Sequence, residues 1–179
     1  EGLNTYKMKF ASAGFRYAEV TTDVSFEASD FSAIPVYSDL EQAYDFECSS
    51  HLLNQFVRNT FWSMRGNTAD VPTDCPTRER NGWTGDAQIF FGIAAYLTKF
   101  APFARKFIAD MNDSQENDGR FHQMVPKDGE AFYMKVMNGS VGWADAGVYI
   151  PYWSWKTYGD DRFIRENYDA MKRYAEFMI

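Results

Sequence analysis

The sequence predicts a mainly α-helical domain preceded by a few strands. Three observations carry that reading. Aromatic and β-branched residues alternate with polar ones through residues 1–37. From about residue 48 the apolar spacing lengthens to the 3.6 of an α-helix. The strand-like stretches all come before the helical ones instead of alternating with them, which argues against β/α units.

In the first region Tyr6, Met8 and Phe10 alternate with Lys7 and Lys9, Phe15, Tyr17 and Val20 follow Gly14, and VSFEASDFSAIPVY ends at Tyr37. So few residues cannot close a sheet with two good faces. Residues 1–38 are therefore expected to be the last strands of a β-domain lying upstream, with a helical domain over residues 39–179. The apolar pattern is still running at Ile179, so the chain is expected to be a piece of a larger protein.

The first predicted helix has Leu52, Leu53, Phe56, Val57, Phe61 and Met64 on one face, with Ser49 or Ser50 as N-cap and Gly66 as stop. A second starts near Asp86, with Ile89, Phe90, Ile93, Leu97 and Phe100 inward. A third has Pro102 in its first turn and Phe103, Phe107, Ile108 and Met111 inward. Residues 113–142 read as irregular, with turns at Asp118-Gly119 and Asp128-Gly129 and short strands at FHQMVP and FYMKV. A fourth helix covers 145–158, with Pro151 near its start or kinking it. Asp160 or Asp161 caps a fifth, with Phe163, Ile164, Tyr168, Met171, Ala175 and Met178 inward.

Composition narrows the function. A charge of 18 − 25 = −7 with no basic run excludes a nucleic-acid partner. No stretch approaches the roughly 18 apolar residues of a membrane span, so no membrane partner is expected. Cys48 and Cys75 are too few for a disulfide framework and read as free thiols. His51 and His122 have no metal-ligand spacing, and DMNDSQENDG lacks the glycine of a calcium loop, so no metal and no cofactor is expected. Aromatics make up 18% of the chain, which suits either a thick aromatic core or stacking against sugar rings.

One connection is overfurnished. DVPTDCPTRERNGWTGDAQ, residues 70–88, joins two helices that a connection of roughly 2–8 residues would join. It holds Asp74, Glu79 and Asp86, with Arg78 and Arg80 around Glu79. Two readings stand. It is a solvated loop with ion pairs and an N-cap at Asp86. Or it is a glycosidase site, its backbone stiffened by Pro72 and Pro76, with Gly82 and Gly85 letting the chain turn around an exposed Trp83. In the second reading one carboxyl keeps its proton for the leaving oxygen, because neighbouring negative charge and apolar contact favour the neutral form.

RNTFWSMRGNTADVPTDCPTRERNGWTGDAQ resembles the signature of the bacterial α-L-rhamnosidases, glycoside hydrolase family 78. GFRYAEV at 14–20 is similar to the strand that closes the β-sandwich before that family's catalytic domain, and VGWADAGVYIPYWSWKTYGD at 141–160 to a later barrel segment. The resemblance implies the N-terminal portion of an (α/α)6 barrel and hydrolysis of terminal α-L-rhamnose with inversion at the anomeric carbon. It implies Glu79 as general acid, and Asp74, Asp86, Trp83, Trp143 and Asp145 as sugar-binding residues, with Arg78 pairing in the same motif. Where the family often has an acidic residue before the Glu, this chain has Arg78. No position matches the family's base, which comes later in the barrel, so the expected partners are a rhamnose-containing glycan or glycoside and the remainder of the barrel, and the chain alone is expected to be inactive. Two alternatives remain: a related barrel glycosidase for another sugar, and a non-catalytic barrel that binds rhamnose-containing glycan.

Overall fold

Helix α1, His51–Gly66, starts where Ser50 accepts a hydrogen bond from the Leu53 amide at 3.4 Å, and ends at Gly66 with Asn67 as its C-cap. Around it, the computed structural model describes residues 4–127 and 132–179. Six more helices follow: α2, Thr84–Leu97; α3, Ala101–Asp113; α4, Phe132–Met137; α5, Ala146–Tyr158; α6, Arg162–Arg165; and α7, Tyr168–Met178.

Helix α5 is the centre of the arrangement and packs on α2, α3, α6 and α7. Its Gly147 lies under the ring of Phe121, where a Cβ would sit 2.2 Å from Cε2. Pro151 is inside the helix and buried, and Gly159, at φ +68°, ends it by returning its N–H to Trp155 O. The core joins Phe61 and Met64 of α1, Phe91, Ala94 and Leu97 of α2, the whole predicted inward face of α3, and Ile150, Phe163 and Tyr174. Beside it, Arg105 on α3 reaches Asp160 at 2.6 Å and Glu166 at 2.8 Å, with its guanidinium 4.1 Å from the centre of the Phe163 ring. Arg162 also pairs with Asp160, and these two arginines hold that carboxyl well below its ordinary pKa.

Several expectations need correction. No β-ladder forms among the described residues; 4–37 run irregularly, with one 3-10 turn at Ala28–Asp30. A strand needs a neighbour to take its N–H and C=O groups, and period-two patterning supplies none. FYMKV lies in α4, a helix, and FHQMVP forms only the isolated bridge Trp83↔Met124. The turn at Gly119 is present at φ +98°, while Asp128-Gly129 lies outside the described residues. Leu52, Leu53 and Phe56 of α1 and Ile89 and Ile93 of α2 are exposed; Ala87, Phe91 and Ala94 face inward instead. The predicted fifth helix is two, with Tyr168 and Met178 exposed. Between them Asn167 donates to Phe163 O at 2.8 Å and accepts from Asn112 at 2.6 Å, so the freed end of α6 is satisfied by a side chain tied to α3.

Candidate active site

The charged connection is closed at its neck by its own backbone. The Asp74 amide donates to Asn81 O at 3.1 Å, and the Asn81 amide donates to Asp74 Oδ1 at 3.0 Å. Glu79 sits inside this closed turn, its amide donating to Cys75 Sγ at 3.2 Å. Cys48 and Cys75 are free and half-buried. After the neck, the chain pairs with residues 123–125: Val125 N donates to Gly82 O at 2.9 Å and Thr84 N to Gln123 O at 2.8 Å. Gly82 has no room for a side chain, since a Cβ there would stand 1.9 Å from Val125 O. The pairing also explains why α2 begins at Thr84 and not at Asp86. The Thr84 hydroxyl is bound to Gln123 O, so the helix is anchored by its first residue and Asp86 falls in the first turn.

Of Asp74, Glu79 and Asp86, Glu79 accepts from two side chains. Trp83 Nε1 donates to its Oε2 at 2.7 Å, and Arg78 Nη2 to its Oε1 at 2.7 Å. The Arg78 head is 84% exposed against 35% for Glu79, so solvent weakens that ion pair. Arg80 points elsewhere. At φ +55° it turns its guanidinium out to Ser12 O at 2.7 Å, so among the described residues Arg78 alone pairs with Glu79. Asp86 is pushed above its ordinary pKa of 3.8, first by loss of solvent and then by the charges of Asp74 and Glu79, against the pull of its own amide. The three carboxylates therefore share one electrostatic neighbourhood.

Trp143 joins them from far along the chain. Its indole edge rests on Gly85, where a Cβ would stand 2.8 Å from Cδ1 and 2.9 Å from Nε1. Asp145 precedes α5 and turns back to accept from the Gly142 amide at 2.8 Å. Its charge also reaches Tyr174, whose hydroxyl is pushed up to about 12, chiefly by burial. Asp74, Glu79 and Trp83 are thus gathered near Asp86 in the first turn of α2, with Trp143 packed on Gly85 of the same turn, while Asp145 is tied to the Gly142 amide and the Arg78 head is exposed. Sequence reasoning missed the bonds that Asn81 and Cys75 make within the connection and that of Gln88, which spans 54 residues and leaves no local pattern. A cavity of about 560 Å³ lies elsewhere, between residues 6–15, residues 32–37 and the end of α1, and none of the three carboxylates lines it.

Residues 41–179 match the family model described as the bacterial alpha-L-rhamnosidase 6 hairpin glycosidase domain. The chain is 33% identical over 99% of its length to an alpha-L-rhamnosidase of Streptomyces avermitilis, covering 17% of that protein. It is 36% identical over 98% of its length to one of Formosa agariphila, covering 19%. In structure, 79% of the chain superposes on the Streptomyces avermitilis alpha-L-rhamnosidase complexed with L-rhamnose, with a TM-score of 0.72, 35% identity and 13% of that chain covered. The alpha-L-rhamnosidase from Dictyoglumus thermophilum also gives 0.72, at 31% identity over 79% of this chain and 16% of that one. The chain spans less than a fifth of the length of each of these relatives. With most of its helical part matched by the family model, the chain belongs to the bacterial α-L-rhamnosidase six-hairpin glycosidase family.

Proposed function

We propose that the protein carrying this chain is an inverting glycoside hydrolase that releases terminal α-L-rhamnose, and that this chain supplies the general-acid half of its site. The observation that carries the reading is Glu79: a part-exposed carboxyl fixed by the Trp83 indole within the reach of the Asp74 and Asp86 charges. Protonated, Glu79 gives its proton to the glycosidic oxygen as the bond from that oxygen to the anomeric carbon breaks. The aglycone leaves as the alcohol, and positive charge develops on the sugar ring. Water attacks the opposite face and loses its proton to a base, which restores the balance of atoms and charge. Asp74 and Asp86 accept hydrogen bonds from sugar hydroxyls, and Trp83 and Trp143 offer flat apolar faces to the ring. The resemblance implies that the base comes from a later part of the barrel, outside these residues, and as half of an inverting pair it would stand roughly 6.5–9.5 Å from the acid across the sugar. In this reading residues 39–179 are the first part of the (α/α)6 barrel, whose remainder is the chain's partner, and residues 1–38, which form no ladder by themselves, end a β-sandwich domain whose other strands would supply their pairing.

The test uses the full-length protein and aryl α-L-rhamnosides with good and poor leaving groups. Glu79→Gln is expected to lower kcat by about 10²-fold or more on the poor leaving group and far less on the good one. Equal rates for variant and wild type would remove Glu79 from the mechanism. Wild-type turnover of a different aryl glycoside, with none of the rhamnoside, would favour a related glycosidase. Rhamnose binding without turnover of any substrate would favour a binding barrel.

A further inference from the structure

The two stretches that meet at the site are 54 residues apart where Gln88 joins them. Gln88 lies in α2, on the helix whose first turn carries Asp86. Its Nε2 donates to Gly142 O at 2.7 Å, and the bond is part-buried. Gly142 is thereby held at both of its flanking peptides, its carbonyl accepting from Gln88 and its N–H donating to Asp145 at 2.8 Å. Gly142 itself stands at φ +92°, a conformation in which the chain needs outside support to be unique. The next residue is Trp143, packed on Gly85 one turn before Gln88. Gln88 Oε1 is buried with no hydrogen-bond partner among the described residues. The side chain therefore gives up one amide group's hydration while making this one long-range bond, an arrangement with no evident return in stability.

We propose that Gln88 is a positioning residue for sugar binding. It clamps the Gly142 carbonyl so that the Trp143 indole is held against Gly85, facing the sugar that Asp86 also contacts. This rests on Trp143 being a sugar-binding aromatic, as in the function proposed above. Without the clamp the 140–145 turn can rotate about Gly142, and the indole loses its fixed place relative to α2. The effect falls on substrate and transition state alike, since the aromatic face contacts the ring before and during bond cleavage.

The full-length protein is used, with L-rhamnose binding measured by calorimetry and kinetics on an aryl α-L-rhamnoside. Gln88→Ala is expected to raise both the Kd for L-rhamnose and KM about five- to tenfold, with kcat within about twofold of wild type. Gln88→Glu keeps the volume, so it carries the test if the alanine variant fails to fold. Ionised, its carboxylate cannot donate to Gly142 O, so relative to wild type at the same pH its binding is weakened at high pH and recovers as the pH falls and the carboxyl, its pKa raised by burial, takes up a proton and can donate. In a double-mutant cycle, Gln88→Ala adds no further loss of binding in a Trp143→Ala background. Fully additive losses would overturn the proposal, because Gln88 would then act on something other than Trp143. Normal binding by both Gln88 variants, with Trp143→Ala weakened, would overturn it while leaving the site intact. Normal binding by Trp143→Ala would overturn the reading of the site and the proposal with it.

Discussion

Asp86 keeps its carboxylate in a setting that penalises the charge: partial loss of solvent, with Asp74 and Glu79 nearby. Its pKa is raised in the folded state, so the folded protein binds the proton more tightly than the unfolded chain does. Folding is therefore penalised above the folded pKa, and the penalty fades as pH falls toward 3.8. Asp86→Asn is expected to raise the melting temperature at pH 7, by a margin that shrinks toward pH 4, while weakening L-rhamnose binding. Paired thermal scans at the two pH values check the first part and calorimetry the second. Such a trade is expected where a site gathers like charges for function. Trp83 makes a separate case. Trp83→Phe keeps an aromatic face but removes the donor to Glu79 Oε2, so kcat/KM for an aryl α-L-rhamnoside should fall about tenfold or more. An unchanged kcat/KM would mean that the bond does not help to place the acid.

Helix α5 works as an element because Gly147 lets it sit directly on Phe121, a residue with no exposed surface. Gly147→Ala would put a methyl 2.2 Å from a ring carbon that has nowhere to go. The cost is expected to be about 1–3 kcal/mol, read as a lower denaturation midpoint at unchanged m-value. Site geometry should suffer too, because the 140–145 turn that presents Trp143 leads straight into α5. The break between α6 and α7 follows from Asn167, whose amide satisfies the end of α6 and whose oxygen is bound by Asn112 of α3. Helical periodicity cannot register such a break, since the apolar spacing continues across it.

The helices present apolar surface that nothing among the described residues covers: Leu52 is 79% exposed, Ile89 83% and Tyr96 79%. Large apolar side chains exposed at helical spacing, as Ile89, Ile93 and Tyr96 are on α2, mark a surface suited to contact. Produced alone, this 179-residue chain is expected to self-associate and bind a hydrophobic dye, and to hydrolyse no aryl α-L-rhamnoside. Size-exclusion chromatography and a direct assay check both; a monomeric, active preparation would contradict the proposal that the base and the covering helices lie elsewhere in the protein.

What the sequence determined by itself was local. Ser50 and Gly66 bound α1 through groups that act within one turn, and Phe103, Phe107, Ile108 and Met111 show the buried side of α3. The crowding of Asp74, Glu79, Trp83 and Asp86 into residues 70–88 marked that stretch as a candidate site, because these residues lie close together in the chain. Tertiary structure decided the rest. Which face of α1 and α2 is buried depends on which neighbours exist, and the apolar pattern names a face without naming its partner. The strand-like residues 4–37 form no ladder, because a strand is completed only by another strand. Trp143 is brought to the first turn of α2 by its packing on Gly85 and by the bond from Gln88 to Gly142, contacts that span more than fifty residues and leave no periodic trace in the chain.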